Sequence, residues 1–248
     1  MAAEHGPDDQ RAGYLVVDAE TSAVLRRHDS RHRFRSASLV KPLIALDHLR
    51  RHGEPSDADR ALLEPMLRAS HDDAASELWD RGGRKEIIHR MVAEIGLTDT
   101  EPPRDQDMWG YVVLTAADMI QMYRHLRAAG EPGAYVLENL RRWTQFGADG
   151  FDQSFGIPSV AQSPEAVKQG WSGFGPGPND PAPPDPASPR RKIPDDRVDL
   201  DRPAMHTTGL VRRDGHLLIV ALCTLHPAGT DWNSAATRLT ELTTTLLN

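Results

Sequence analysis

The spacing of apolar residues changes period twice along this chain, and that change restricts the possible folds more than any other feature. Gly13 to Asp18 (GYLVVD) and residues 22–28 read as the two strands of a hairpin, the second closing before the polar Asp29-Ser30-Arg31 loop. From Ser38 the pattern turns helical. Leu43, Leu46 and Leu49, then Leu62, Leu63, Met66 and Leu67, then Ile87, Ile88, Met91, Val92 and Ile95 recur at helical spacing, with Gly96 placed as a C-cap. Another amphipathic run covers Thr115 to Ala129, with Thr115 as its cap and Asp118 in its first turn. Strand character returns after Ser159, and Ser234 to Leu247 is helical through Leu239, Leu242 and Leu246.

Strands, a helical block, strands and a final helix are accounted for by an α+β architecture: an antiparallel sheet built from both chain ends, flanked by helices, with an inserted helical lobe. The expected division is a discontinuous sheet lobe of residues 11–45 and 159–248 and a helical lobe of residues 46–158, with an active site in the cleft between them. At 248 residues and 39% hydrophobic, the chain can bury one substantial core.

Ser38-Leu39-Val40-Lys41 is the stretch that carries chemistry. A hydroxyl at a helix start meets unpaired backbone N–H groups, and a lysine one turn on projects to the same side. Serine needs an adjacent base to act as a nucleophile, and a buried amine can take its proton. Alone, S-x-x-K is equally an N-cap serine followed by a solvated lysine.

Two later stretches follow in order. Ser70-His71-Asp72 opens a helical run, and Lys168-Gln169-Gly170-Trp171 continues a strand led in by Ala166-Val167. They resemble the S-D-N and K-T-G segments of penicillin-recognising serine enzymes. Met205 to Leu222, turning at Asp214-Gly215, resembles the closing hairpin of the same proteins. The chain is similar to class A β-lactamases and D,D-peptidases over nearly its whole length, and the fold this implies is the β-lactamase/transpeptidase-like α/β sandwich plus helical lobe.

The resemblance implies Ser38 as nucleophile and Lys41 as its base, directly or through Ser70, with Lys168 giving positive charge beside Ser70. It implies an oxyanion hole from the backbone N–H groups of Ser38 and Trp171, and substrate contacts from Asp72, Gln169, Gly170 and Trp171. The expected partner is a small-molecule or peptidoglycan-derived acyl donor, with no cofactor and no metal.

Three departures from the pattern bear on activity. Asp72 replaces an Asn, so it accepts where an amide N–H would donate, and its charge favours the ammonium form of Lys41. Gln169 replaces the hydroxyl that helps bind a substrate carboxylate. The stretch Thr100 to Tyr111 lacks the E-x-x-L-N pattern of the deacylating Glu; Glu101, Asp105 and Asp107 are its acidic side chains. The expectation is an acyl-enzyme that hydrolyses slowly. Residues 172–203 hold Pro176, Pro178, Pro181, Pro183, Pro184, Pro186, Pro189, Pro194 and Pro203, which exclude helix and inner strand. That loop insertion at the cleft mouth is either inert or a lid.

A formal charge of -7 argues against a nucleic-acid partner. The single Cys223 lies in an apolar run and reads as a core residue. The histidines are scattered without metal-binding spacing. No segment reaches transmembrane length, and Met1 to Gln10 has no apolar signal core, so the expected setting is cytoplasmic as given, or exported or lipoprotein-like with its signal removed.

Overall fold

The N-terminal strands form β1 (Arg11–Asp18) and β2 (Val24–His28), an antiparallel hairpin in which Leu15 lies opposite Arg27. The computed structural model describes residues 10–161, 164–180 and 193–248. After β3 (Phe34–Arg35), a single 3₁₀ turn over Ala37–Val40 runs directly into α1 (Lys41–His52). The helical block continues with α2 (Asp57–Arg68), α3 (Asp72–Arg81) and α4 (Lys85–Ile95). Then come β4 (Val113–Leu114), which pairs with β3, and α5 (Ala116–Ala128), α6 (Gly130–Arg141) and α7 (Ile157–Val160). The chain closes with β5 (Ala166–Ser172), β6 (Ala204–Arg213), β7 (His216–Leu225) and α8 (Trp232–Leu247).

Local chemistry explains most of these boundaries. Ser56 and Asp59 form a reciprocal capping box on α2, Thr115 accepts from the Asp118 N–H at the start of α5, and Asp231 accepts from the Ser234 N–H at the start of α8. Gly96 ends α4 at φ 75°. Asp214 and Gly215 both take positive φ, 49° and 81°, as a two-residue hairpin turn requires, and join β6 to β7.

Strand order β2-β1-β7-β6-β5 places the two chain ends at the centre of one antiparallel sheet, as expected, with β5 on an edge. Alternation sorts the strand residues between two cores. Val17, Ile219, Ala221 and Cys223 face the helical block, while Val16, Leu218, Val220 and Leu222 face α8. Cys223 is unpaired and fully buried, and burial pushes its thiol up, so it serves as an apolar filler.

Helix α6 escapes a periodicity reading because Gly130, Pro132 and Gly133 look like breakers. Gly133 is instead a packing position: a Cβ there would lie 2.0 Å from the Leu126 carbonyl oxygen of α5. Strands β3 and β4, two residues each, are too short to show a period.

Of the proline-rich segment, residues 181–192, with Pro181, Pro183, Pro184, Pro186 and Pro189, lie outside the described residues. Beyond the end of β5, the described stems carry no helix or strand. One buried guanidinium ties them together: Arg35 donates to Ser172 Oγ and Ser172 O at 3.1 Å each, to Arg202 O at 2.6 Å, and to Asp199 O.

Candidate active site

Ser38 sits in the 3₁₀ turn just after Ala37, whose φ of 45° is costly for an L-residue. That turn is pressed against the edge strand β5, and Gly170 is what allows it. A Cβ at Gly170 would stand 3.2 Å from both Leu39 Cγ and Ser36 O and 3.3 Å from Leu39 N, so a side chain there would require the strand or the serine turn to give by a few tenths of an ångström. Ser38 is 6% exposed and lines a cleft of about 360 Å³, and its Oγ has no hydrogen-bond partner among the described residues.

Beneath the cleft lie two buried lysines. Lys41 opens α1, where its Nζ donates to Asp72 Oδ1 at 2.6 Å and to Ser70 O, with the Trp109 ring centroid 4.7 Å away. Burial lowers its pKa, and the Asp72 carboxylate opposes that shift without reversing it. Asp72 therefore acts in the expected direction, but desolvation outweighs it. Lys168 of β5 donates to Ser70 Oγ and is pushed well below the ordinary lysine value, first by burial and then by repulsion from Lys41. Ser70 is held at φ 56°, and its Oγ donates to Gln153 Oε1 at 3.2 Å. Gln153 is fixed in turn by donating to Arg68 O at 2.9 Å and Thr144 O at 2.8 Å.

Lys41, Ser70, Asp72 and Lys168 thus form one hydrogen-bonded group, while Ser38, Asp72 and Trp171 line the cleft above it. Lys41 donates to Ser70 and Asp72 and makes no direct hydrogen bond to Ser38 among the described residues, which leaves the indirect route through Ser70. One expectation needs correction. Gln169 does not face the cleft: strand alternation turns it away, its amide donates to Phe155 O, and its Oε1 accepts from Thr207 Oγ1 at 2.7 Å. It is not a substrate-binding side chain in this arrangement.

The candidate deacylating acids are also accounted for. Glu101 is held at 2.7 Å by both Arg33 and Arg197, and Asp105 accepts from the Asp107 N–H at 3.2 Å. Asp107 reaches the cleft wall but pairs with Arg84. The position over Lys41 belongs to Trp109, whose Nε1 donates to Ser76 Oγ at 3.1 Å. Trp109, Gln153 and Asp149 are site residues that motif reading misses. Gln153 and Asp149 reach the site from the segment before β5, and no local pattern marks them. Among the described residues no group of three or more His, Cys, Asp or Glu is arranged to hold a metal ion.

No protein-family model matches the chain. Its sequence is 32% identical over 173 residues to LppW of Mycobacterium tuberculosis and of Mycobacterium bovis, a protein whose name proposes it as a lipoprotein; the match takes in 66% of this chain. The chain spans about half (52%) of the length of these relatives. Among solved structures it is similar to PBP-A, with TM-score 0.68 at 14% identity, covering 98% of this chain and 90% of that one. It is also similar to the TLA-3 extended-spectrum β-lactamase, with TM-score 0.70 at 11% identity over 95% and 91% of the two chains. A β-lactamase from Sphaerobacter thermophilus gives TM-score 0.65 at 16% identity over 96% and 90%. The fold is that of β-lactamases and penicillin-binding proteins.

Proposed function

We propose that this protein is a β-lactamase-like serine acyl enzyme that forms an ester on Ser38 and releases it slowly. The observation that carries the reading is the convergence of two buried lysines on Ser70 beneath an unpartnered, cleft-lining Ser38. A lysine held below its ordinary pKa has a larger neutral fraction and can accept a proton, which is what Ser38 requires. In the acylation step the Ser38 Oγ–carbonyl carbon bond forms and the bond to the leaving amine or alcohol breaks. The serine proton passes through Lys41, by way of Ser70 if the route is indirect, to the leaving group. The backbone N–H groups of Ser38 and Trp171 are the proposed oxyanion donors, a reading supported by the close packing of Gly170, next to Trp171, on Leu39, next to Ser38.

Hydrolysis of the ester then needs a positioned base, and the side chain found 4.7 Å from Lys41 Nζ is the Trp109 ring, which supplies none. Loss of such a base is worth about 10² to 10⁴ in rate. A D,D-peptidase or transpeptidase reaction on peptidoglycan stems is the second reading, favoured by the same Trp109 and by the likeness to PBP-A, a point mutant of which has a solved structure as the acyl-enzyme with penicillin G. The lobe division proposed from sequence, and an exported or lipoprotein setting suggested by the name of LppW, belong to the same proposal. Among the described residues no helix is long and apolar enough to cross a membrane.

Intact-mass analysis after incubation with 4-nitrophenyl hexanoate and, separately, with penicillin G tests the reading. The expected result is an acyl adduct mapped to Ser38, absent in Ser38→Ala, that forms faster than it decays. No adduct on Ser38 with either reagent would overturn it in favour of a binding protein without turnover.

A further inference from the structure

The walls of the Ser38 cleft divide by chemistry. One side is aromatic: Phe151 stacks on Trp232 with centroids 4.0 Å apart, and Trp171 and Phe174 meet the same indole edge-on at 5.5 and 5.3 Å. Set into this wall are carboxylates. Asp149 is oriented by Trp171 Nε1 at 2.8 Å and the Phe151 N–H at 3.2 Å, and Asp180 accepts from the Gly177 N–H at 2.7 Å. Neither forms an ion pair among the described residues. Asp72 shares one oxygen with Lys41, yet its side chain is 71% exposed. Asp107, the fourth carboxylate, is matched by Arg84.

No lysine or arginine among the described residues lines the cleft; Lys41 and Lys168 are buried under it. Burial raises the Asp149 carboxyl, and the charges of Asp72 and Asp180 raise it further, so these carboxylates repel one another across the open space. Ser38, more than nine-tenths buried and without a partner for its Oγ, opens into the same space. A donor carrying a carboxylate would meet like charge there, and the Gln169 amide is committed to Phe155 O and Thr207 Oγ1 and does not receive it. A cation would meet unpaired carboxylates and aromatic rings, both of which attract it.

We propose that the cleft selects cationic acyl donors: esters or amides that carry an ammonium group placed to reach Asp149 and Asp180, with alkyl or aromatic surface against Phe151, Trp171 and Phe174. This rests on the acyl-enzyme reading for the reaction, but not for the charge preference. The bond changes are those given above for Ser38, with the ammonium group unchanged by the reaction.

The test uses two measurements on the full chain. The first is kcat/KM for three 4-nitrophenyl esters of similar length: 4-(trimethylammonio)butanoate, hexanoate and the glutarate monoester. The second is tryptophan-fluorescence titration of Ser38→Ala with benzyltrimethylammonium and with phenylacetate. The cationic ester is expected to exceed the anionic one by about thirtyfold, falling to about threefold in Asp149→Asn/Asp180→Asn, and the preference should shrink with added salt. Benzyltrimethylammonium should bind Ser38→Ala more tightly than phenylacetate. Acylation of Ser38 with no preference between cation and anion, or equal binding of the two fluorescence probes, overturns the charge proposal and leaves the acyl-enzyme reading intact. Cation-selective binding without acylation by any ester supports the charge proposal and overturns the acyl-enzyme reading.

Discussion

The ring centroid of Trp109 stands 4.7 Å from Lys41 Nζ, an amine that also donates to Ser70 O and Asp72 Oδ1. A ring there gives the ammonium form a favourable contact and holds no base for water. Trp109→Glu is therefore expected to speed decay of the Ser38 ester by about a hundredfold, read by time-resolved intact mass, while Trp109→Phe leaves decay slow. Equal decay in the two variants would sink the idea that Trp109 fills the place of a deacylating base.

Asp72→Asn removes the larger of the two charges that raise Lys41, leaving only the weaker pull of Asp149 against the burial that lowers it. The acid limb of the pH–acylation profile should move to lower pH. The rate at neutral pH should rise about tenfold, equivalent to roughly 1.4 kcal/mol of barrier. Acylation that is unchanged or slower across the pH range would assign Asp72 a positive part in the reaction.

Lys168 is fully buried and its pKa lies well below the ordinary value of 10.5, so between the folded-state value and 10.5 the unfolded chain binds more protons than the folded one. Unfolding free energy then increases with pH through that window, and the penalty is greatest below it. Urea denaturation from pH 6 to 9 should show stability rising with pH. Lys168→Met should flatten that slope without abolishing it, because Lys41 is shifted in the same direction. An identical slope in the variant would mean that Lys168 does not change protonation on folding.

Arg35 satisfies backbone carbonyls of both stems of the proline-rich segment while buried itself. Arg35→Met leaves those acceptors without a donor, at a cost of about 3 kcal/mol or more in unfolding free energy by chemical denaturation. Limited proteolysis within residues 172–203 should accelerate more than cleavage elsewhere. A variant as stable and as protease-resistant as the parent chain would show that the stems are held by other contacts.

Much of the fold is legible in local pattern. The hairpin turn at Asp214-Gly215, the caps at Thr115 and Gly96 and the helical spacing of Ile87 to Ile95 act over a few residues, so each can be read where it stands. Short strands such as β3 and β4 cannot, and α6 cannot, because the glycine that looks like a breaker is required by a neighbouring helix. The site divides in the same way. Ser38, Lys41, Ser70 and Lys168 announce themselves by residue type and order, whereas Gln153 and Asp149 have no local signature.

What the sequence alone determined is where the long periodic helices and strands form and which chemical groups they carry, because capping, turn geometry and apolar period are properties of neighbouring residues. Tertiary structure decided how those groups behave. It pressed β5 against the serine turn through Gly170 and drew two lysines out of water so that burial overcomes the charge of Asp72. It also turned Gln169 inward and Asp149 toward the cleft. Desolvation, close approach and the side of a strand that meets a cavity all depend on residues distant in the chain, and no local pattern encodes them.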